Sequence, residues 1–435
     1  MVKGNTIKRA VGLMPRALPA VLVSLCVAIV LASCGSKAHR PLLSPLTPYV
    51  ISASFPSSTN GIHLGLAFDY DAHNAAAISR QIDYIFGGYF VDWNTGIDPA
   101  VDHDDAYIPF DFDGFPQNAR GHSLADWKAK HPDWIVYQCD RRTPAYFGDG
   151  NTAVPLDFSD PAVRAYQFRE AATVLEHGAS GVVFDNLTFA NFENRCGVYR
   201  HGVWSPLGYP GRWRDNAKLD GDMLGWLKGM RAQLQSHFPS KTLGINMNLL
   251  ISGFGHLRAV TPNIDMLFDE AGFTAYGGQN LASTNWQREV QALDYLTAQG
   301  KAWDVNGIVP ADRDSEVTPE EINWVLANYL LVKGPHSYTY IYAGAHRGFS
   351  GSPSGYGTFY DRPEYHIPIG RPLSNRFSSS GVEMRYYSGG LVIVNPSSWQ
   401  SFPVALGGTY QDMFGHTYTA LTLAPTSGIV LLREH

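Results

Sequence analysis

The chain has 435 residues, of which 45% are hydrophobic and 17% are charged, as in an ordinary globular protein and unlike a disordered one. Its formal net charge is −6 and the body of the chain has no Lys/Arg cluster, which argues against nucleic acid as a partner, because phosphate binding needs a basic surface. Its 10 Trp, 23 Tyr and 22 Phe suit either a core or a surface that stacks on sugar rings.

The N-terminal segment has the pattern of a secretion signal with a lipid-attachment site. Four basic residues precede the apolar run ALPAVLVSLCVAIVLASC, and its last four residues resemble a bacterial lipobox. Cys34 would then carry the lipid, and Gly35 is not the aspartate that retains lipoproteins at the inner membrane. We expect a signal peptide over 1–33, a Ser- and Pro-rich tether over 34–60, and attachment to the cell envelope, at the outer membrane. An uncleaved membrane anchor is the alternative.

Two cysteines remain for the folded part of the chain, Cys139 and Cys196. Export would permit a disulfide between them, and two separate buried thiols are the alternative. They are too few, and lack neighbouring ligands at suitable spacing, for a cysteine-based metal site.

From residue 61 onward, strand-like and helix-like segments alternate. The strand candidates are HLGLAFD (63–69), YIFGGYFVDW (84–93), WIVYQCD (134–140), GVVFDN (181–186), TLGINMN (242–248), IDMLFDEAGF (264–273), AWDVNGIV (302–309) and SYTYIYA (337–343). The helix candidates are HNAAAISRQI (73–82), a segment opened by Ser123, a segment capped by Asp160, roughly 220–238, roughly 285–299, and a segment capped by Thr318.

Eight strands separated by helices predict an α/β protein with a (β/α)8 TIM barrel over 61–345. An open doubly wound sheet is the competitor, but no Gly-rich phosphate fingerprint follows the first strand. The Gly/Ser/Pro-rich stretch 346–382 is predicted to be a linking loop. Short strands at turn-rich spacing over 383–435 predict a small C-terminal antiparallel β-sandwich that packs on the barrel.

Chemistry in such a barrel is carried by the C-terminal ends of the strands. Helix N-caps explain some polar residues at those positions, but they do not explain a set that converges on one mouth. The predicted strand ends are Asp69, Asp92, Asp140, Asp185, Asn246 with Asn248, Asp269 with Glu270, Asn306 and Tyr342.

Two of these carboxyl groups form the best catalytic pair for cleavage of a glycosidic bond, which needs one carboxyl on each side of the bond. Asp185 and Glu270 end the fourth and sixth predicted strands. Apolar neighbours would raise the pKa of Glu270, as a general acid requires, and polar neighbours suit Asp185 as nucleophile or base. Asp269 is the rival acid, but strand alternation sends it and Glu270 to opposite faces, so only one of them can point at the mouth.

The other polar strand ends are candidates for holding sugar hydroxyls, since carboxylates and carboxamides pair with vicinal hydroxyl groups. Aromatic residues near the strand ends are candidates for stacking on sugar rings, with core packing as the alternative. The predicted substrate-binding residues are Asp69, Tyr89, Asp92, Trp93, Asp140, Asn246, Asn248, Asp269, Trp303 and Tyr342.

The segment DWNTGIDPAVDHDDAYIPFDFDGF, residues 92–115, contains seven aspartates. Its DFDG resembles the start of a calcium-binding EF-hand loop, but His122 stands where the closing Glu should be. We therefore predict no metal site and a solvated or substrate-facing acidic loop, which could suit a cationic sugar. The chain has no G-x-S-x-G elbow, no phosphate-binding Lys-Ser/Thr loop and no H-E-x-x-H motif, so no cofactor is predicted.

Four short motifs resemble those of bacterial glycoside-hydrolase-like barrels, a group that includes the endo-α-1,4-polygalactosaminidases. They are GVVFDN (181–186), DFSDPAVRAY (157–166), FDEAGF (268–273) and the C-terminal LVIVNPS…LTLAPTSGIVLL. The resemblance covers most of 61–435 and implies Asp185 and Glu270 as the catalytic carboxyls. The prediction is a lipid-anchored envelope glycoside hydrolase acting on a polysaccharide. The alternative is a non-catalytic glycan-binding or exopolysaccharide-export lipoprotein.

Overall fold

The computed structural model describes residues 55–56, 60–67, 82–88, 103–113, 122–147, 153–344 and 359–434. Predictions that concern the signal peptide, most of the tether, most of the helix over 73–82 and the following residues lie outside these ranges: Cys34, Asp69, Tyr89, Asp92 and Trp93. Within the described ranges, no helix is both long enough and apolar enough to cross a membrane.

An eight-stranded parallel sheet forms the centre of the fold. A parallel bridge between Leu64 and Thr339 joins its first strand to its last, so the sheet closes on itself. This arrangement confirms the predicted (β/α)8 barrel. In sheet order the strands are β1 (Gly65–Ala67), β2 (Tyr84–Gly88), β3 (Asp104–Ile108), β4 (Gly181–Phe184), β5 (Thr242–Asn246), β6 (Met266–Asp269), β7 (Ala302–Val305) and β8 (Ser337–Tyr338).

Both faces of the barrel strands are covered, which explains the continuous apolar run of β4. Phe184 points outward and packs against Trp226 with a ring-centroid distance of 4.7 Å. Val183 points into the barrel, where a Cβ on Gly244 would lie 2.8 Å from its Cγ1. The same alternation carries the next inward position of β4 to the mouth of the barrel, and that position is Asp185.

The third barrel strand differs from the prediction. WIVYQCD (134–140) supplies only the short strand Val136–Tyr137, which pairs antiparallel with Gly197–Arg200 outside the barrel. The third strand is β3, which lies inside the acidic segment predicted to be a loop. Its charge is tolerated in the barrel because Asp105 accepts a hydrogen bond from the Thr242 hydroxyl at 2.8 Å and contacts His103 Nε2 at 3.0 Å.

Side-chain caps open most of the helices, as predicted for Ser123, Asp160 and Thr318. One helix, α4, was not predicted, because Gly253 interrupts it with a left-handed φ of 73°. The helices are α1 (Leu124–Lys130), α2 (Pro161–Glu176), α3 (Ala217–His237), α4 (Leu249–Val260), α5 (Ser283–Ala298) and α6 (Pro319–Val332).

An antiparallel six-stranded sheet follows the barrel and confirms the predicted C-terminal sandwich. Its first strand begins at Phe377, inside the stretch 346–382 that was predicted to be a loop, because Phe377–Ser379 pairs with the next strand of the sheet. It packs directly on α6: the Val430 N–H donates to Asn323 Oδ1 at 3.2 Å, and the Tyr387 hydroxyl donates to the Leu330 carbonyl at 2.6 Å. Its strands are β9 (Phe377–Ser379), β10 (Val382–Tyr387), β11 (Gly390–Asn395), β12 (Phe402–Asp412), β13 (Thr417–Leu423) and β14 (Ser427–Arg433).

Candidate active site

Inward-facing polar residues from neighbouring strands meet at the C-terminal end of the barrel. Phe268 of β6 points inward, since it packs against Phe86 of β2 across the barrel with a ring-centroid distance of 4.4 Å. Glu270, two residues later, therefore points inward as well, and Asp269 points outward. By the same alternation Asp185 and Asn246 end the inward rows of β4 and β5.

Asn246 contacts both of the predicted catalytic carboxyls. Its Nδ2 donates to Asp185 Oδ1 at 2.7 Å and lies 3.4 Å from Glu270 Oε2. Since one nitrogen atom contacts both, these two oxygen atoms cannot be farther apart than the sum of the two distances. The structure therefore brings Asp185 and Glu270 together at one side of the mouth.

Asp185 is a buried carboxyl surrounded by donors. Besides Asn246, it accepts hydrogen bonds from the Asn186 N–H at 2.8 Å, from Asn186 Nδ2 at 3.3 Å and from the Tyr107 hydroxyl at 3.1 Å. Burial and, after it, the charge of Glu270 raise the pKa of Asp185 to about 7, although these hydrogen bonds oppose the rise. The pair therefore holds one proton more readily than two isolated carboxyls would.

The hydrogen bonds of Asp185 favour its ionised form. Three of the four donors are N–H groups, which cannot accept, so a protonated Asp185 would lose at least one of these bonds. The pKa of Asp185 nevertheless stays raised to about 7, so below that pH this carboxyl holds a proton. This differs from the prediction that polar neighbours keep Asp185 ionised, because burial and the charge of Glu270 outweigh them.

Tyr276 is the second partner of Glu270, with its hydroxyl 3.0 Å from Oε2. Burial and the charge of Glu270 raise the pKa of Tyr276 well above its ordinary value, so this hydroxyl stays protonated at neutral pH. It fixes the orientation of the Glu270 carboxyl from the loop that follows β6.

Asp269 has a structural role instead of the predicted contact with substrate. Its oxygens accept from the backbone N–H groups of Leu249 at 2.9 Å and Ala271 at 3.3 Å. It is buried, and burial raises its pKa to about 7. Facing outward, it anchors the first turn of α4 and, unlike Glu270, does not point at the mouth.

Two predicted stacking platforms are core residues. Trp303 and Tyr342 each have 0% of their surface exposed, so neither can stack on a sugar ring. Trp303 donates to the Thr297 hydroxyl at 2.9 Å, and the Tyr342 hydroxyl accepts from the Ala67 N–H at 2.6 Å. The prediction that these two aromatics bind substrate was wrong, because both side chains are packed in the core of the fold.

Asp140 and Asn248 also serve the fold in ways the sequence did not indicate. Asp140 does not end a barrel strand: it lies exposed in a turn, where it accepts from the hydroxyl of Thr143 at 2.6 Å. Asn248 is the N-cap of α4, with its Oδ1 accepting from the Ile251 N–H at 2.9 Å. Neither position supports the strand-end argument on which its substrate-binding role was predicted.

Two tyrosines of the site were missed. Tyr107 shares the inward face of β3 with Asp105, and the alternation in DDAYI would have revealed this had the acidic segment been recognised as a strand. Tyr276 lies in an irregular loop six residues after Glu270, and nothing in the local pattern indicates that it turns back to that carboxyl.

The long loop that follows β4 is held rigid beside the site. Arg195 forms buried ion pairs with Asp111 and Glu193. A disulfide between Cys139 and Cys196 ties the neighbouring residue to the segment after Val136–Tyr137. The loop is thereby fixed at several points along its course, which keeps its first residues, next to Asp185, in place.

A family model describing hypothetical glycosyl hydrolase family 15 matches residues 111–391, a range that contains both Asp185 and Glu270. The chain belongs to this family. Membership in hypothetical glycosyl hydrolase family 15 agrees with the resemblance to glycoside-hydrolase-like barrels and supports glycosidase activity in general. No curated protein matches the chain.

Several solved structures of glycoside hydrolases are similar to this member of hypothetical glycosyl hydrolase family 15. The glycoside hydrolase domain of PelA from Pseudomonas aeruginosa is 17% identical, with a TM-score of 0.41, and the match covers 65% of this chain and 95% of that one. An alpha-amylase from Lactobacillus plantarum is 11% identical, with a TM-score of 0.43, covering 85% and 98% of the two chains. A β-L-arabinopyranosidase from Geobacillus stearothermophilus is 11% identical, with a TM-score of 0.46, covering 86% and 97%.

Replacing Asp185 with Asn tests the buried charge. Because the pKa of Asp185 rises from 3.8 to about 7 on folding, the native protein holds a proton in that pH window that the unfolded chain has released. The free energy of unfolding of the wild type therefore falls as the pH rises through the window, and Asp185→Asn lacks this loss. By scanning fluorimetry, we expect the melting temperature of Asp185→Asn relative to wild type to be higher at pH 8 than at pH 4.

The exposed Asp140 offers a control of opposite sign. Hydrogen bonds from the Thr143 hydroxyl and from the backbone N–H groups of Arg142 and Thr143 lower the pKa of Asp140, so its stabilising contribution is present at neutral pH and is lost as the pH falls through that lowered value. Asp140→Asn should melt below the wild type at pH 8, with the difference closing in acid. A pH-independent difference for Asp185→Asn would contradict a raised pKa at that carboxyl.

Proposed function

We propose that this protein is a glycoside hydrolase that cleaves a polysaccharide with Asp185 and Glu270. The observation that carries the proposal is the contact of one Asn246 nitrogen with both carboxyls, which sets them side by side at the mouth of the barrel. Hydrolysis of a glycosidic bond ordinarily requires two carboxyl groups placed in this way.

Asp185 would act as the nucleophile and Glu270 as the general acid and then base. Four hydrogen-bond donors support the anion of Asp185, which is the form that attacks, and Tyr276 orients the carboxyl of Glu270. In the first step Asp185 attacks the anomeric carbon while Glu270 protonates the departing oxygen. In the second step Glu270 accepts a proton from water, which attacks the glycosyl-enzyme ester and releases the free Asp185 carboxylate.

The nucleophilic role of Asp185 implies retention of anomeric configuration, since the glycosyl-enzyme ester forms and breaks at the same carbon. Retaining enzymes place the two carboxyl groups about 5–5.5 Å apart, whereas inverting enzymes leave about 6.5–9.5 Å for a water molecule. One oxygen of Asp185 and one of Glu270 lie no farther apart than the sum of 2.7 and 3.4 Å, a limit that falls between these two ranges. The proposal of retention therefore rests on the four donors that support the Asp185 anion.

Activity assays with the full chain in mild detergent test the proposal against a panel of bacterial and plant polysaccharides. We expect release of reducing ends from at least one, and a loss of kcat/KM of about 100-fold or more in Asp185→Asn and in Glu270→Gln. Asp140→Asn and Glu316→Gln, both at exposed positions, are the matched controls and should keep wild-type rates. The first product, followed by NMR, should have the same anomeric configuration as the substrate.

Two results would reject the proposal. Binding of a polysaccharide without release of reducing ends would favour a non-catalytic glycan-binding or exopolysaccharide-export lipoprotein. Release that survives both Asp185→Asn and Glu270→Gln would place the chemistry elsewhere. A first product with inverted anomeric configuration would leave the hydrolase proposal standing, but Asp185 would then act as a general base and not as the nucleophile.

We also propose that Cys34 anchors the protein to the cell envelope, since the sequence LASC follows a basic and then apolar segment. Expression with a radiolabelled or alkyne-bearing fatty acid should label the wild type in the membrane fraction. Cys34→Ser should lose the label, and Cys26→Ser, whose cysteine lies within the predicted signal peptide, should keep it. Labelling that survives Cys34→Ser would overturn the assignment.

A further inference from the structure

Asn306 is a buried residue whose side chain has no hydrogen-bond partner among the described residues. It lies between β7 and the short strand Gly307–Val309, with 1% of its surface exposed. Both of its side-chain polar atoms, Oδ1 and Nδ2, lack a hydrogen-bond partner in the structure. Buried carboxamides are normally paired, so an unpaired one calls for an explanation.

The side chain of Asn306 belongs to the inward row of β7. Trp303 points outward, because its indole N–H reaches Thr297 of α5, and Gly307 also faces outward, where a Cβ would collide with Val325 of α6. Asp304 points inward, where its carboxyl lies against Gly65. Alternation then sends the Asn306 side chain inward, one step closer to the mouth than Asp304.

The register of the sheet sets Asn306 beside Glu270. Val305 of β7 pairs with Asp269 of β6, so the next residue on each strand, Asn306 and Glu270, is also a neighbour of the other. Both side chains point inward. An unpaired carboxamide therefore lies next to the proposed general acid, at the level of the mouth.

Other buried carboxamides of the chain are paired by the fold itself. Asn328 has 0% of its surface exposed, accepts from the Trp286 indole N–H at 2.6 Å and donates to the Trp324 carbonyl at 2.8 Å. Asn246 donates to both carboxyls of the site. The fold thus supplies partners for these buried amides, whereas the described residues supply none for the side chain of Asn306.

We propose that Asn306 binds a hydroxyl group of the sugar residue held next to Glu270. A carboxamide offers an acceptor and a donor within a few ångströms, and a sugar hydroxyl both donates and accepts. The neutral amide selects a hydroxyl over a charged substituent at that position. The inference rests on the proposed function, since it names a contact of the same site.

The test compares two leucine substitutions of buried asparagines in the full chain, extracted in mild detergent. Asn306→Leu removes an unpaired polar group, so its melting temperature should equal or exceed that of the wild type, while kcat/KM on the polysaccharide cleaved best falls about 10-fold or more. Asn328→Leu removes a paired group, so it should melt lower with kcat/KM per folded molecule unchanged. Asn306→Ser is a second variant with the same expected direction.

Four outcomes decide between this inference and the proposed function. If Asn306→Leu and Asn306→Ser both cleave the polysaccharide as fast as the wild type does, the inference is overturned and the proposed function stands. The same holds if the melting temperature of Asn306→Leu falls as much as that of Asn328→Leu. If the wild type binds a polysaccharide in affinity electrophoresis without cleaving it, loss of that binding in Asn306→Leu supports the inference while the hydrolase proposal fails. Neither cleavage nor binding by the wild type overturns both.

Discussion

The contact of Asn246 with both carboxyls is the constraint on which the site depends. Three adjacent strands, β4, β5 and β6, end in inward-facing polar side chains, and the middle one holds the outer two together. A carboxamide is suited to this position because its NH2 group donates two hydrogen bonds and carries no charge. A lysine there would neutralise the pair, and an apolar residue would leave two acids in mutual repulsion.

That arrangement has an energetic cost, which the surrounding structure offsets. Burial and mutual repulsion raise the pKa of Asp185, so the ionised site destabilises the fold at neutral pH. The donors Tyr107 and Asn186 stabilise the anion, and Asn186 does so from a left-handed backbone conformation with φ of 62°. The disulfide and the buried Arg195 ion pairs hold the loop that begins there. Asparagine adopts a left-handed conformation more readily than most other residues, which suits Asn186 to the turn that follows β4.

The sequence predicted the barrel and the catalytic candidates where local pattern and tertiary environment agree. The apolar run before Asp185 predicted a strand buried on both faces, as the structure shows. The alternation of side chains along the next carboxyl-bearing strand predicted that Asp269 and Glu270 point to opposite faces of the sheet. The third strand was misplaced because Asp104 and Asp105 look solvated in sequence, whereas their partners, such as Thr242, come from strands far along the chain. Trp303 could not be told from a stacking platform, because an aromatic at a strand end has the same local pattern in both roles. The position of Tyr276 depends on loop geometry, which periodicity does not encode.

The most direct test of the account is the titration of Asp185 followed by carbon NMR of selectively labelled aspartate, in the wild type and in Glu270→Gln. Burial and the charge of Glu270 together predict an apparent pKa of about 7 for Asp185 in the wild type, and removing the charge at position 270 should lower it. Burial is the largest cause of the raised pKa of Asp269 as well, but there the charge of Glu270 contributes least, so Asp269 should shift less and provides the internal reference. An Asp185 that titrates at the same pH in both proteins would show that the two carboxyls do not interact, and the proposed site would have to be abandoned.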